Sequence, residues 1–231
     1  MVFLKSFRSG GLLLVFLLLG GSAMAQPAAW DCTFRPASYD IKVGQFKSYP
    51  NSEKDIVFLG NSITAGTDWN ELLGDVSIKN RGISGDITFG ILERLDEVIE
   101  GKPAKVFILI GINDISRNVP NEVILSNYTK IVQRIKSGSP ATKIYCQTLL
   151  PVNNSFNKFK NHYNKDEHIL WVNNQLKVLA QKEKVNLIDL YPAFLDSDKR
   201  LIKEFTHDGL HLTAAGYQRW ADLLIKGGYL K

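Results

Sequence analysis

The strongest constraint on the fold is a regular alternation of short apolar runs with longer segments of helical periodicity. The runs lie at residues 56–59, 76–78, 106–110, 144–150 and 185–190. Continuous apolar runs of this length are typical of strands buried on both faces of a parallel sheet. Strands that alternate with helices predict right-handed crossover connections. The sequence therefore predicts an α/β fold with a mainly parallel sheet of about five strands, covered by helices on both faces.

Three segments between these runs carry apolar side chains at helical spacing. They are Ile87, Ile91, Leu92, Leu95, Val98 and Ile99; Ile124, Tyr128, Ile131, Val132 and Ile135; and Ile169, Val172, Leu176, Leu179 and Ala180. Each set predicts one buried helix face. Pro120 suits the start of the second of these helices, Thr213 can cap a last helix, and Gly227 can end it.

The N-terminal stretch is predicted to be targeting sequence. Lys5 and Arg8 form a positive region, Leu12–Leu19 is a short apolar core, and Ala23–Ala25 matches a small-x-small cleavage site. We expect a signal peptide over residues 1–25 and an exported chain, periplasmic or secreted; a retained membrane anchor is the alternative. Residues 26–54 lack periodicity and are predicted to form an arm, followed by one folded domain over 55–231.

Charge and cysteine content limit the function classes. The net charge is +5, and loss of Lys5 and Arg8 leaves 26 basic and 23 acidic residues, or +3. Because the basic residues are scattered among acids, they indicate a solvated surface rather than a nucleic-acid interface. Export makes a disulfide between Cys32 and Cys146 feasible, but the sequence leaves open whether they pair or Cys146 is an ordinary buried thiol.

Three of the predicted strands end in turns built from small residues. These turns are Gly60–Ser62, Gly82–Asp86 and Gly111–Asp114. The carboxyl ends of parallel strands share one edge of the sheet, where ligands bind in open α/β folds. Ser62 is thus a candidate nucleophile if a base accompanies it, although a serine at such a position often serves only as a turn or helix cap.

Hydrogen-bond donors for an oxyanion are also predicted at this edge. The backbone N–H groups of Ser62 and Gly85 and the side-chain amide of Asn113 could converge on one oxygen. Such a preorganised donor is worth roughly 3 to 4 kcal/mol in a transition state. The alternative interpretation is local, since glycine serves many turns and an Asn-Asp pair often caps a helix.

The candidate base lies near the C-terminus. Asp208 precedes His211 by three residues, which lets the carboxylate reach one ring nitrogen while the other faces Ser62. A metal site of His207, Asp208 and His211 is the competing interpretation, but no further cluster completes a ligand shell. His162 and His168 lie in a polar segment and are predicted to be surface residues.

These blocks resemble a known enzyme family. Ser62 in GNSIT, Gly85 in GISGD, Asn113 in GIND, and Asp208 with His211 in DGLHL follow the order of the SGNH hydrolases, also called GDSL esterases. The likeness spans 55–224 and is greatest to the platelet-activating-factor acetylhydrolase-like and carbohydrate O-acetylesterase branch. It implies a flavodoxin-like three-layer α/β/α fold and ester hydrolysis by Ser62, His211 and Asp208, without metal or other cofactor. It also implies an oxyanion hole of Ser62, Gly85 and Asn113.

One position departs from the family pattern, because Asn61 stands where the family motif has aspartate. Asparagine keeps the hydrogen-bonding shape and removes a charge beside the nucleophile.

The expected substrate is a small-molecule or oligosaccharide ester. Residues 153–164 are rich in Asn, Lys and aromatic residues, which suits a sugar better than a lipid tail. We therefore expect hydrolysis of short-chain, chiefly acetyl, esters on a carbohydrate. The alternatives are a lysophospholipase or other lipid-ester hydrolase, a non-enzymatic carbohydrate-binding protein on the same scaffold, and a metallohydrolase. Neither nucleic-acid binding nor stable membrane insertion after signal cleavage is expected.

Overall fold

The structure, a computed structural model, describes residues 30–231 and contains a five-stranded parallel sheet. The strands are β1 (Ile56–Gly60), β2 (Ile78–Gly82), β3 (Lys105–Leu109), β4 (Lys143–Gln147) and β5 (Asn186–Ile188). They pair in the order β2-β1-β3-β4-β5, and every pairing is parallel. The predicted parallel sheet is confirmed. The predicted signal peptide and its cleavage site lie outside the described residues.

Helices cover both faces of this sheet. They are α1 (Tyr39–Ser48), α2 (Ser62–Ala65), α3 (Trp69–Leu73), α4 (Thr88–Glu100), α5 (Ile112–Ser116), α6 (Asn121–Gly138), α7 (Asp166–Glu183) and α8 (Ala214–Lys226). Helix α6 packs between α4 and α7 on one face, and α3 packs against α8 on the other. The predicted three-layer α/β/α fold is confirmed. Thr213 caps α8 as predicted, because its hydroxyl accepts a hydrogen bond from Gly216 N–H.

The prediction was wrong about the position of the second strand. The apolar run around Val76–Ile78 suggested a strand there, but β2 begins at Ile78 and continues through Lys79, Asn80 and Arg81. Val76 is 86% exposed, before the strand begins. Because β2 is an edge strand with only β1 as a neighbour, polar side chains are tolerated along it, and the apolar run does not mark its limits.

The core differs between the two faces of the sheet. On one face the rings of Phe58, Phe107 and Tyr145, from three neighbouring strands, stack at centroid distances of 4.9 and 4.5 Å. The Trp69 ring of α3 lies 4.3 Å from the Phe58 ring, centroid to centroid. Trp220 of α8 packs edge-on against the Trp69 ring at 4.7 Å. Since side chains alternate along each strand, the opposite face carries aliphatic residues beneath α4, α6 and α7. Stacked rings of this size bury much apolar surface and fix α3 and α8 on the sheet.

The segment between residues 30 and 54 contains helix α1. The sequence prediction missed this helix: Tyr39, Val43 and Phe46 stand at positions i, i+4 and i+7, but only three residues carry that pattern and the exposed Ile41 lies off their face. Tyr39 and Phe46 are buried and form a small cluster with Ile83, and the Tyr39 hydroxyl donates to the carbonyl of Gly90 in α4 at 2.7 Å. The helix is thus fixed beside the β2–α4 turn. The predicted limits of the arm and of the following domain stay predictions.

Both cysteines are free thiols in the structure. Cys146 lies in β4 and is buried, whereas Cys32 is exposed. Burial raises the pKa of the Cys146 thiol to about 12, so the group behaves as a small apolar side chain. Across residues 30–231, no helix has the length and apolar character that a membrane crossing requires.

A buried arginine joins the ends of the first two strands. The Arg94 guanidinium, in α4, donates to the backbone carbonyls of Gly60 at 3.1 Å and Arg81 at 2.9 Å. Its Nε donates to the Asp86 carboxylate at 3.0 Å, and both side chains are fully buried. Glu97 lies beside it and accepts from Arg81 Nε at 3.1 Å, so two arginines and two carboxylates share one buried cluster. Burial raises the pKa of Asp86 and Glu97, and the nearby guanidinium groups act against that shift.

We predict that Arg94→Met destabilises the protein strongly. The substitution leaves the Asp86 carboxylate buried without its partner, and breaking a buried pair in this way costs about 3 to 5 kcal/mol of unfolding free energy. Urea denaturation measures the loss. Lys177→Met is the matched control, because the Lys177–Asp189 pair is solvent-exposed and its removal costs about 1 kcal/mol or less. Equal losses in the two variants would contradict a structural role for Arg94.

Candidate active site

The candidate site lies where the strand order changes direction. Strand β1 has β2 on one side and β3 on the other, so the connections that follow β1 and β3 diverge at the carboxyl edge of the sheet. This switch point forms a crevice in open α/β folds and is where such proteins bind ligands. The turns after β1, β2 and β3 meet there with the C-terminal turn at 206–212.

Ser62 is placed by a tight turn directly after β1. A Cβ atom at Gly60 would lie 2.2 Å from the Thr64 hydroxyl and 2.3 Å from the Leu109 carbonyl, so only glycine fits. Asn61 then caps α2, since its Oδ1 accepts from the N–H of Ile63 at 3.0 Å. Ser62 is the first residue of that short helix, and it is partly exposed at the crevice.

His211 and Asp208 stand beside Ser62 in a continuous hydrogen-bonded chain. His211 Nε2 lies 2.9 Å from Ser62 Oγ, and His211 Nδ1 lies 2.7 Å from Asp208 Oδ2. The other carboxylate oxygen of Asp208 accepts from the backbone N–H groups of Leu210 and His211 at 2.9 and 2.8 Å. Burial acts to raise the pKa of Asp208, but these hydrogen bonds outweigh it and the pKa is lowered. The carboxylate therefore stays ionised beside the imidazole.

The turn that carries His211 is held rigidly. Thr206 Oγ1 donates to the His211 carbonyl at 2.7 Å and accepts from the Gly209 N–H at 2.9 Å. Gly209 has a φ of +91°, and a Cβ there would lie 2.2 Å from the Asn153 carbonyl. The ring of Phe159 packs edge-on against the His211 ring at 5.0 Å. The backbone contacts thus fix the turn, and the Phe159 ring supports one side of the imidazole.

The predicted oxyanion donors lie around the same crevice. Gly85 adopts a φ of +82°, and Asn113 is the second residue of α5, in the turn that follows β3. Within residues 30–231, the backbone N–H groups of Ser62 and Gly85 donate no hydrogen bond. Asn113 Nδ2 donates to the Asp86 carbonyl at 3.0 Å, which leaves its second hydrogen free. The structure thus brings together all five predicted residues, Ser62, Gly85, Asn113, Asp208 and His211.

His162 was missed, because the prediction placed it on the surface. It is 8% exposed, and its Nε2 lies 3.1 Å from Asn113 Oδ1. Its loop folds over α5, where Lys165 Nζ donates to the Ile115 carbonyl at 2.8 Å. No pattern in the polar segment indicates this contact. His168, by contrast, is exposed as predicted.

A cavity of about 390 Å³ opens over these residues. Its lining comprises Ser62, Ser84, Gly85, Asn113, Phe159, His162, Leu210 and His211. The residues come from the turns after β1, β2 and β3, from the loop after β4 and from the C-terminal turn. A small ester group has room here beside the serine.

Comparison with known proteins agrees with this geometry. The profile of the GDSL-like Lipase/Acylhydrolase family matches residues 58–219. The chain belongs to this family. Over 176 residues it is 32% identical to platelet-activating factor acetylhydrolase IB subunit alpha2 of Rattus norvegicus, and the match covers 73% of each chain.

Solved structures give the same result for this GDSL-family chain. It superposes on a platelet activating factor protein from Streptococcus pneumonia with a TM-score of 0.76 and 32% identity, covering 84% of this chain and 93% of the other. An acetyl xylan esterase shares the fold, with a TM-score of 0.64 and 20% identity over 75% of this chain and 98% of that one. The resemblance read from the sequence is confirmed, and the protein is a carboxylic ester hydrolase.

The competing metal interpretation finds no support in the hydrolase. His207 Nε2 lies 3.4 Å from Asp208 Oδ2, but the His207 side chain is 59% exposed. Asp208 directs one oxygen to backbone N–H groups and the other to His211. Within residues 30–231, no group of three His, Cys, Asp or Glu side chains is arranged to hold a metal ion.

Asn61 has an identifiable task in this GDSL-family site. Its Oδ1 caps the helix that begins with the serine, while its buried Nδ2 has no partner within the described residues. The acceptor oxygen is therefore the functional half of the amide. An aspartate, as found in the family motif, would supply the same acceptor.

We predict that Asn61→Ala lowers both stability and kcat. Loss of an N-cap costs about 1 kcal/mol, and here it also frees the peptide that positions Ser62. Asn61→Asp keeps the acceptor oxygen, so this variant should retain most of the wild-type kcat. Denaturation and p-nitrophenyl acetate kinetics on both variants test this. An aspartate variant as slow as the alanine variant would contradict the capping role.

Proposed function

We propose that the protein is a serine esterase in which Ser62 is the nucleophile and His211 is the general base. The observation that carries this proposal is the hydrogen-bonded chain from Ser62 Oγ through His211 to Asp208, at 2.9 and 2.7 Å. His211 takes the hydroxyl proton as Ser62 Oγ attacks the ester carbonyl carbon. Collapse of the tetrahedral intermediate breaks the C–O bond to the alcohol, which leaves with the proton from His211. Water, deprotonated by His211, then cleaves the acyl-enzyme and releases the acid.

Asp208 fixes the imidazole in this mechanism. Its ionised carboxylate accepts the Nδ1–H of His211, so the lone pair on Nε2 faces the serine. The same negative charge stabilises the imidazolium that forms in the transition state. Because two backbone N–H groups hold the carboxylate, the ring does not need to reorient during the reaction.

The oxyanion is held by the N–H groups of Ser62 and Gly85 and by Asn113 Nδ2. Two observations support these roles: both backbone donors are free within the described residues, and the Asn113 amide is already anchored to the Asp86 carbonyl. Donors that are oriented in advance require no reorganisation as charge develops on the carbonyl oxygen.

The acyl group in this proposal is short, chiefly acetyl. The crevice beside Ser62 is narrowed by Phe159, His162 and Leu210, and its volume of about 390 Å³ must also hold part of the alcohol. The curated relative described above is named an acetylhydrolase, which agrees with removal of an acetyl group.

We place the alcohol, as a carbohydrate, in a second groove. A cavity of about 470 Å³ between α1 and β2 shares Ser84 with the catalytic crevice. Its wall carries the exposed Tyr49 ring together with Lys42 and Asp68, whose side chains make no hydrogen bond within residues 30–231. An aromatic ring beside free polar groups suits a sugar, which has both apolar C–H faces and hydroxyl groups.

We predict that Ser62→Ala abolishes hydrolysis of p-nitrophenyl acetate and that Asp208→Asn lowers kcat by about 10⁴-fold. The asparagine keeps the shape but holds the imidazole in the wrong tautomer. Asn113→Ala should lose about 10²- to 10³-fold in kcat through the missing oxyanion donor. Steady-state kinetics measures all three. Wild-type kcat in the Ser62→Ala variant would refute the nucleophile assignment.

We predict that acetyl esters of sugars are better substrates than long-chain acyl esters. A panel of acetylated xylan and sialic acid fragments against p-nitrophenyl esters of increasing chain length tests this. Tyr49→Ala should raise KM for the acetylated sugars about fivefold, from loss of the ring contact, and leave p-nitrophenyl acetate hydrolysis unchanged. Trp30→Ala is the control, because Trp30 is an exposed aromatic residue outside the groove. Faster turnover of long-chain or lipid esters would favour the lipid-ester alternative.

A further inference from the structure

The loop between β4 and α7 carries a buried histidine that the triad does not use. His162 ends the short 3-10 turn Lys160–His162 and contacts Asn113 in α5. Phe159 of the same loop packs edge-on against the His162 ring at 5.9 Å and against the His211 ring at 5.0 Å. One loop therefore contacts the base and the oxyanion amide together.

The direction of the His162 hydrogen bond follows from its neighbours. The backbone carbonyl of Asp86 can only accept, so the Asn113 atom that faces it at 3.0 Å is the amide nitrogen. The Asn113 oxygen then faces His162 Nε2 at 3.1 Å. Since that oxygen can also only accept, Nε2 must carry the hydrogen, which defines the tautomer of the His162 ring.

The His162 ring is also kept in its neutral form. Burial, the neighbouring His211 and Lys165 lower the pKa of His162 to about 4. Its Nδ1 is buried and has no partner within the described residues, so a proton there would be left without an acceptor. The neutral Nε2–H form is thus maintained at the pH values where an esterase with a histidine base works.

We propose that His162 is a positioning residue that fixes the side-chain amide of Asn113 as an oxyanion donor. The terminal amide torsion of asparagine is soft, so a single contact leaves it free to swing. Here the Asp86 carbonyl holds the nitrogen and His162 holds the oxygen, and the second N–H of Asn113 keeps one direction. This inference rests on the proposed function, because it assigns a task to one donor of that oxyanion hole.

A direct contact between a ring nitrogen of His162 and substrate is not part of this role. Nε2 is engaged with Asn113, and Nδ1 is inaccessible to solvent. The residue acts through Asn113, so its effect should appear in kcat and depend on the presence of that amide.

Kinetics of two His162 variants test the proposal. His162→Phe keeps an aromatic ring and removes the donor, and we expect kcat for p-nitrophenyl acetate to fall about tenfold with KM unchanged, less than for loss of the donor itself. His162→Gln places a side-chain N–H near the former Nε2 and should recover most of kcat. His168→Phe is the matched control, because it removes a similar contact, from His168 Nδ1 to Asn121 Oδ1 at 3.0 Å, on the exposed side of α7. Wild-type kcat in His162→Phe, or an equal loss in both His162 variants, would overturn the proposal.

A double-mutant cycle separates positioning from an independent effect. In the Asn113→Ala background there is no amide to orient, so His162→Phe should change kcat by less than about twofold. A full tenfold loss in that background would refute the coupling.

Nitrogen NMR of histidine-labelled protein gives a readout that does not need activity. We expect a neutral His162 ring protonated on Nε2 at pH 7 and a weaker tautomer preference in Asn113→Ala. A ring protonated on Nδ1 would overturn the inference. If Ser62→Ala retains activity, the proposed function fails, yet the NMR result still decides whether His162 holds Asn113.

Discussion

The catalytic edge of the sheet depends on one buried cation. Arg94 donates to the carbonyls at the ends of β1 and β2 and to the Asp86 carboxylate in the turn between β2 and α4. A guanidinium has several donors in a fixed plane, so it can bind two backbone carbonyls and a carboxylate at the same time. The cost of burying its charge is offset by Asp86 and Glu97, and the cluster is balanced because Arg81 pairs with Glu97.

The oxyanion side of the site is built outward from this cation, whereas the base side is held mainly by its own turn. Asp86 is bound by Arg94 through its carboxylate and accepts Asn113 through its carbonyl, and Asn113 in turn meets His162. The imidazole of His211 depends instead on Thr206, Gly209 and the backbone of its own turn. Ser62 is the point where the two systems meet. The loop that carries Phe159 and His162 also connects the two sides, because Phe159 packs against the His211 ring and His162 contacts Asn113.

The sequence predicted the elements whose signals are local. Continuous apolar runs located β1, β3 and β4, and the ordered motifs located Ser62, Asn113 and His211 at one edge. Strand β2 was misplaced because an edge strand tolerates polar residues. Helix α1 was missed because few apolar residues mark its buried face and the exposed Ile41 lies off it. The burial of His162 could not be predicted from the sequence, since it depends on a loop folding over α5 and on Lys165 reaching the Ile115 carbonyl. Contacts between distant segments leave no periodic pattern in the chain.

Ser62 and His211 are 149 positions apart in the chain, so they are synthesised at different times. A growing chain presents the serine early, on a strand and turn that have no imidazole to activate them. The Tyr217 hydroxyl of α8, which donates to the Ile63 carbonyl at 2.9 Å, reaches α2 only after nearly the whole chain has been made. Activation of Ser62 therefore requires the turn at 206–212 to be made and to pack beside it, so a nascent chain that lacks this turn carries the serine without its base.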